Sequence, residues 1–227
     1  MQLYIGNKNY SSWSLRPWVL MRQAEIAFDE VKLRFDAFTP DSQFKQAIGR
    51  ITPTGRVPAL VDDGYVVWDT LAIAEYLADK FPEKALWPAD RLARARARSL
   101  CAEMHSGFGA LRNAFPMNIE ASLPEVGERL LREDAAVRQD LERLVSMWTQ
   151  QLARSGGPLL FGAFSIADAY FAPVASRLRT YALPLPAEVT AYVDRVFALP
   201  GMQAWVKDAL AERDFLDFEE PYRQSRD

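Results

Sequence analysis

The sequence predicts an α/β domain over residues 1–81 followed by an all-α domain over residues 89–227. Three observations carry this prediction. The first part alternates short β-type runs with helical periodicity, in the order β-α-β-α-β-β-α, as mixed sheets flanked by helices do. Residues 82–88, P-E-K-A-L-W-P, form a connection bounded by prolines. From Asp90 onward helical spacing continues with almost no strand alternation. The 227 residues suffice for two such domains, and a 49% hydrophobic content is enough for packed cores.

Leu3-Tyr4-Ile5 reads as the first strand, and Leu15, Trp18, Val19 and Arg22 recur at helical spacings of three and four. Pro17 belongs to a first helical turn, which places the N-cap near Ser14 and leaves Ser11 and Ser12 just ahead of the helix. Ala27 to Phe35 alternates apolar and charged residues as a half-buried strand does, and Pro40 to Gly49 reads as a short helix. Val57 to Val61 begins a strand with proline, Asp62-Asp63-Gly64 turns it, and Tyr65 to Trp68 returns. Asp69-Thr70 opens a helix that stops at Phe81-Pro82. Beyond the connection, residues 90–114 and roughly 124–154 read as long helices. A third runs from Ser165 to near Tyr181, and Pro186 to Phe197 and Met202 to Ala211 make two more.

Composition narrows the function. A net charge of −3 gives no reason to expect nucleic acid as partner, and the arginines between Arg91 and Arg98 alternate with small residues as on a solvated helix. A single cysteine, Cys101, permits no internal disulfide and reads as a small buried residue. One histidine, His105, builds no metal site by itself. The N-terminus lacks a signal-peptide pattern and no apolar stretch spans a membrane, so a soluble cytoplasmic protein is expected.

The hydroxyl-rich loop at Tyr10-Ser11-Ser12 lies between a strand end and a helix start. Unpaired N–H groups at a helix start stabilise anions and thiolates. The stretch holds no cysteine, so thiolate chemistry there needs a sulfur from a bound ligand. Four motifs give that ligand a name. Ser11-Ser12-Trp13-Ser14-Leu15-Arg16 is similar to an S-S-C-x-x-R motif, and Thr52-Pro53-Thr54-Gly55-Arg56-Val57-Pro58-Ala59-Leu60 to N-P-x-G-x-V-P-x-L. Trp68 to Ile73 is similar to E/D-S-x-A-I, and Phe164-Ser165-Ile166-Ala167-Asp168 to S/T-x-A-D. In order and spacing the chain resembles the cytosolic glutathione transferases, in a serine-type branch with a zeta-like N-terminal motif.

The resemblance implies a thioredoxin-like N-terminal domain, a helical C-terminal domain and a homodimer with no metal. Glutathione is then the co-substrate, and Ser11 activates its thiol, with Ser12 the close rival and Tyr10 a distant third. A cis Val57-Pro58 bond presents Val57's backbone to the tripeptide, Asp69 and Thr70 hold its γ-glutamyl end, and Arg56 and Lys45 assist. Where the motif has cysteine this chain has Trp13, which excludes cysteine chemistry at that position. The electrophile is expected against residues 103–118, on His105, Phe108, Arg112 and Met117. Ser165 and Asp168 fit a capping box and are assigned a structural role. The same thiolate also suits a glutathione-dependent isomerase or peroxidase, and the fold also suits a protein that only binds glutathione. The tail F-L-D-F-E-E-P-Y reads equally as a drape over the cleft or as packing on the first domain.

Overall fold

Four strands, Gln2–Ile5 (β1), Asp29–Lys32 (β2), Ala59–Asp62 (β3) and Tyr65–Val67 (β4), pair in the order β2-β1-β3-β4 in a computed structural model that describes residues 1–226. β1 is parallel to β2, with Leu3 opposite Glu30, and antiparallel to β3, with Leu3 opposite Leu60. The parallel pair needs a crossover, and helix Ser12–Gln23 (α1) supplies it. Between β3 and β4 both Asp63 and Gly64 have positive φ, the geometry that lets a two-residue turn follow the twist of the strands. Helices Gln43–Gly49 (α2) and Thr70–Lys80 (α3) complete the first domain, capped by the side chains of Ser42 and Asp69. The Val57-Pro58 peptide is cis.

Seven helices follow: Arg91–Ser106 (α4), Gly109–Ala114 (α5), Pro124–Glu133 (α6), Ala135–Ser155 (α7), Ile166–Thr180 (α8), Ala187–Ala198 (α9) and Pro200–Glu212 (α10). Helix α8 is buried along almost its whole length and is the axis of this part. Helix α1 packs on α8 and α10, so one continuous core joins the inner face of the sheet to the helices. A smaller cluster holds Tyr10, Phe35, Phe44, Ile48, Ala59 and, from the tail, Leu216.

Four local expectations are corrected. The cap of α1 is Ser11, not Ser14, and Pro17 lies in the second turn of the helix. Ser14 is instead fully buried, its Oγ accepting the Gly6 N–H at 3.2 Å. The strand expected over 27–35 shrinks to β2 because its only partner, β1, is four residues long. The Asp29 N–H and Leu33 N–H close its two ends on the carbonyls of Met1 and Ile5.

The single helix expected over 90–114 breaks at Gly107-Phe108. A Cβ on Gly107 would stand 2.7 Å from the Glu103 carbonyl oxygen, and Phe108 has φ 56°. The helix expected over 124–154 is two helices. Asp134 leaves helical geometry and its carboxylate accepts the Ala136 and Val137 N–H groups, capping α7.

The tail after α10 returns to the first domain. The Asn7 side chain donates to Asp214 at 2.5 Å, and Tyr10 Oη donates to the Asp214 carbonyl and to Glu220 Oε1 at 2.7 Å. Among the described residues no helix is long and apolar enough to cross a membrane, and no cluster of His, Cys, Asp or Glu could hold a metal ion.

Candidate active site

Two adjoining cavities form one cleft between the sheet domain and the helices. The first, of about 450 Å³, is reached by Ser11 and Ser12 from the start of α1, by Lys45 of α2, and by Arg56 and Val57 ahead of β3. Its far wall is Arg112, Met117, Arg177 and Glu219. The second, of about 380 Å³, contains Arg56, Val57, Pro58, Asp69, Thr70, His105 and Arg112. Trp13, Arg56, Val57 and Arg112 border both.

Ser11 is buried at the cap position, and its Oγ donates to Ser14 Oγ at 2.7 Å. Because Ser14 is itself fixed by the Gly6 N–H, the Ser11 hydroxyl sits in a short chain of donors and acceptors behind the cavity wall. Ser12 is the first residue of α1 and half-exposed, with its side chain on the cavity. Val57 is half-exposed, and its N–H and C=O bond to no other described residue. Lys45 Nζ donates to the Gly55 carbonyl at 2.9 Å, which ties α2 to the loop before Arg56.

Asp69 Oδ1 accepts the Leu71 N–H at 3.1 Å, while Oδ2 lies 3.6 Å from His105 Nε2. Thr70 is buried, and its hydroxyl shares a 3.0 Å hydrogen bond with Tyr170 Oη. That hydroxyl therefore faces α8, and the start of α3 offers the second cavity its backbone rather than the Thr70 side chain. Tyr170 Oη also meets His105 Nδ1 at 2.6 Å, so one tyrosine hydroxyl ties the start of α3 to both α4 and α8.

Of the residues expected to form the second-substrate wall, His105, Arg112 and Met117 line the cleft and Phe108 does not. The left-handed turn at Phe108 directs its ring into the main core. Residues unnoticed in the sequence take part instead: Phe35, Phe38 and Phe44 from the first domain, Arg177 from α8 and Glu219 from the tail. Arg177 had a visible signal, a charge inside an apolar helix. Glu219 had none.

The cleft is cationic. Lys45, Arg56, Arg112 and Arg177 border the first cavity, and among the described residues Glu219 is its one carboxylate. Burial pushes the Arg177 guanidinium down to about 9, and the neighbouring charges of Arg16 and Arg112 push the same way. Arg16, also pushed down by burial to about 10, lies 4.2 Å from the Trp13 and Tyr170 rings, and Arg112 lies 5.0 Å from Trp13. The π faces attract these cations where no carboxylate partner does. Cys101 is buried and burial raises its thiol pKa far above the usual range, so it stays an inert thiol.

Asp168 lies outside the cleft. It is fully buried at the start of α8 and accepts the Leu160 N–H (3.1 Å), the Ser165 N–H (2.9 Å), the Ser165 hydroxyl (3.1 Å) and the Tyr192 hydroxyl (3.2 Å).

Known proteins resemble the chain in sequence and in fold. Residues 10–80 match the family model of the glutathione S-transferase N-terminal domain, and residues 93–208 that of the C-terminal domain. A maleylacetoacetate isomerase from Pseudomonas aeruginosa is 28% identical over 182 residues, 76% of this chain and 79% of its own length. A probable maleylacetoacetate isomerase from Caenorhabditis elegans is 31% identical over 111 residues, about half of each chain (49%). The crystal structure of a glutathione transferase homologue from a Burkholderia strain, with bound glutathione, superimposes with a TM-score of 0.68 at 28% identity, covering 92% of this chain and 97% of that one.

Proposed function

Because the chain belongs to the glutathione S-transferase family, we propose that it activates the thiol of glutathione through a serine hydroxyl and directs the thiolate onto a small electrophile. The observation that carries this reading is the convergence of Ser11, Ser12, Arg56 and Val57 on one cavity, with Pro58, Asp69 and Thr70 on the lobe beside it. Glutathione spans the two lobes. The backbone of Val57 pairs with its cysteinyl unit as an added strand does. The Asp69 carboxylate receives its α-amino group, and the N-terminus of α3 receives its γ-glutamyl carboxylate. Arg56 and Lys45 meet the glycyl end.

The sulfur then lies at the start of α1. Ser11 donates its hydroxyl hydrogen to the sulfur, and the Ser14 hydroxyl turns to donate to Ser11, so the exchange loses no hydrogen bond. Ser12, free at the cavity edge, is the alternative donor. A hydrogen bond to the charged form lowers a thiol pKa. From an ordinary value near 8.5, a drop of about one unit raises the thiolate share at pH 7 from roughly 3% to about a quarter. The displaced proton leaves to solvent. The electrophile rests on Arg112, Met117 and Arg177, and His105 closes the second lobe. The protein works as a soluble cytoplasmic homodimer, residues 1–81 binding glutathione and residues 89–227 the electrophile.

The test is an ultraviolet titration of bound glutathione thiolate in wild type, Ser11→Ala and Ser12→Ala. A depressed pKa that Ser11→Ala alone restores supports the assignment. Restoration by Ser12→Ala alone moves the role by one residue, and no depression in wild type refutes it. A second reading, a glutathione-dependent isomerase, is favoured by the Pseudomonas aeruginosa relative and by the cationic cleft, which suits an unsaturated keto acid. Conversion of a cis substrate to trans with no net loss of glutathione would select it.

A further inference from the structure

Three consecutive tail residues bridge the cleft. The Phe218 ring meets Phe38, on the first domain's rim, edge-on with centroids 5.2 Å apart. Glu220 is buried and accepts from Tyr10 Oη (2.7 Å), Asn118 Nδ2 (2.8 Å) and Arg223 Nη2 (2.6 Å), which fixes it to the loop that carries Ser11. Glu219, between these two anchors, borders the cavity of Ser11 and Ser12, and its carboxylate has no hydrogen-bond partner among the described residues. The adjacent carboxylate, Glu220, is buried on three donors, whereas Glu219 faces the cavity. Glu219 is held in place by its neighbours and left open to whatever enters the cleft.

We infer that Glu219 is a catalytic acid that protonates the second substrate in additions of glutathione to conjugated, uncharged enones. This role rests on the transferase reading above. The thiolate lone pair forms the C–S bond at the β-carbon, and the alkene π pair moves to the carbonyl oxygen as an enolate. The Glu219 proton then passes to the α-carbon, restoring the carbonyl. Water reloads the carboxylate, and the thiol proton has already gone to solvent, so the net change is addition of S–H across C=C.

The surroundings suit the task. Burial pushes the Glu219 carboxyl up to about 7, the charge of Glu220 adds to this, and Arg177 from α8 opposes it. The other charged or titratable groups of this cavity are Arg112 from α5, Tyr10 from the loop after β1, Lys45 from α2 and Arg56 from the loop before β3. An acid poised near the working pH donates most effectively.

The experiment compares 4-phenyl-3-buten-2-one, whose adduct must gain a proton on carbon, with 1-chloro-2,4-dinitrobenzene, which expels chloride and gains none. The ratio of kcat/KM for the enone to that for the aromatic falls at least ~10-fold in Glu219→Gln. The enone rate of wild type declines as pH rises through 7, and that limb vanishes in the variant. Glu219→Asp, which keeps a carboxyl, retains part of the ratio. An unchanged ratio, an equal loss on both probes, or a wild type active on the aromatic alone overturns the role. A wild type inert to both, with an unshifted bound thiol, overturns the transferase reading itself.

Discussion

Removing the carboxylate of Asp168 should weaken the fold and spare the chemistry. Its four partners are all donors, two of them backbone N–H groups that have no other partner nearby. Burial pushes the carboxyl up to about 6 while those donors pull it down, so it is ionised at neutral pH. In Asp168→Ala the Ser165 and Tyr192 hydroxyls can turn away, but the Leu160 and Ser165 N–H groups cannot. Two buried donors left unpaired at about 1–2 kcal/mol each, with about 1 kcal/mol for the lost cap, give a loss of about 3–5 kcal/mol. That is a large part of the stability of a typical domain, about 5–15 kcal/mol. Asp168→Asn keeps one acceptor oxygen but points an NH₂ group at donors, so it should lose about 2–3 kcal/mol. Urea unfolding read by tryptophan fluorescence measures this, and Trp148, edge-on against Tyr192 at 4.9 Å, is the one of the six tryptophans that reports beside Asp168's partner. The reasoning fails if Asp168→Ala stays within about 1 kcal/mol of wild type. It fails equally if the variant is stable, binds glutathione fully and has lost turnover.

Two further outcomes are expected. Ser14→Ala leaves the Gly6 N–H unpaired and removes the group behind Ser11, so stability drops by about 1–3 kcal/mol. If Ser11 is the activating residue, the bound glutathione thiol also titrates higher than in wild type while affinity for S-methylglutathione is retained; an unmoved thiol pKa would exclude Ser14 from the activation. Gly127→Ala puts a Cβ 2.0 Å from the Tyr181 carbonyl oxygen, a backbone atom that cannot swing aside. Helix α6 must shift, at a cost of about 1–3 kcal/mol, which thermal unfolding would register.

The order of elements in the first domain was legible because each signal is local: strand runs, the Asp63-Gly64 turn, and Asp69 capping α3. The breaks within the second domain were not. Apolar spacing continues across Gly107-Phe108 and across Asp134, and periodicity registers a face, not whether the backbone keeps turning. The same limit explains Phe108. Spacing marks it as inward-facing but does not distinguish the core from a cavity wall, and one left-handed residue decides between them. Ser11 and Ser12 were legible as a cluster at a helix start. Their supporting groups were not, because Glu220 meets Tyr10 across 210 positions of sequence.

Trp13 shows how a departure in sequence acquires a physical meaning. In the motif it stands where a cysteine is expected, which on sequence grounds only removes a reaction. In the fold its ring borders both cavities, lies 4.2 Å from the Arg16 guanidinium and 5.0 Å from that of Arg112, and makes an edge contact with His105 with centroids 5.2 Å apart. Arg16 and Arg177 are buried with no carboxylate partner among the described residues, an arrangement that desolvation opposes. Aromatic faces at Trp13 and Tyr170 and carbonyl oxygens at Tyr170, Phe115 and Pro173 offset that cost without neutralising the charge. A carboxylate in place of those groups would have stabilised the arginines more and cancelled the cleft's positive field. The residue that removes the cysteine thus also helps to keep the cleft cationic, and the field it preserves favours the thiolate that the serines are proposed to generate.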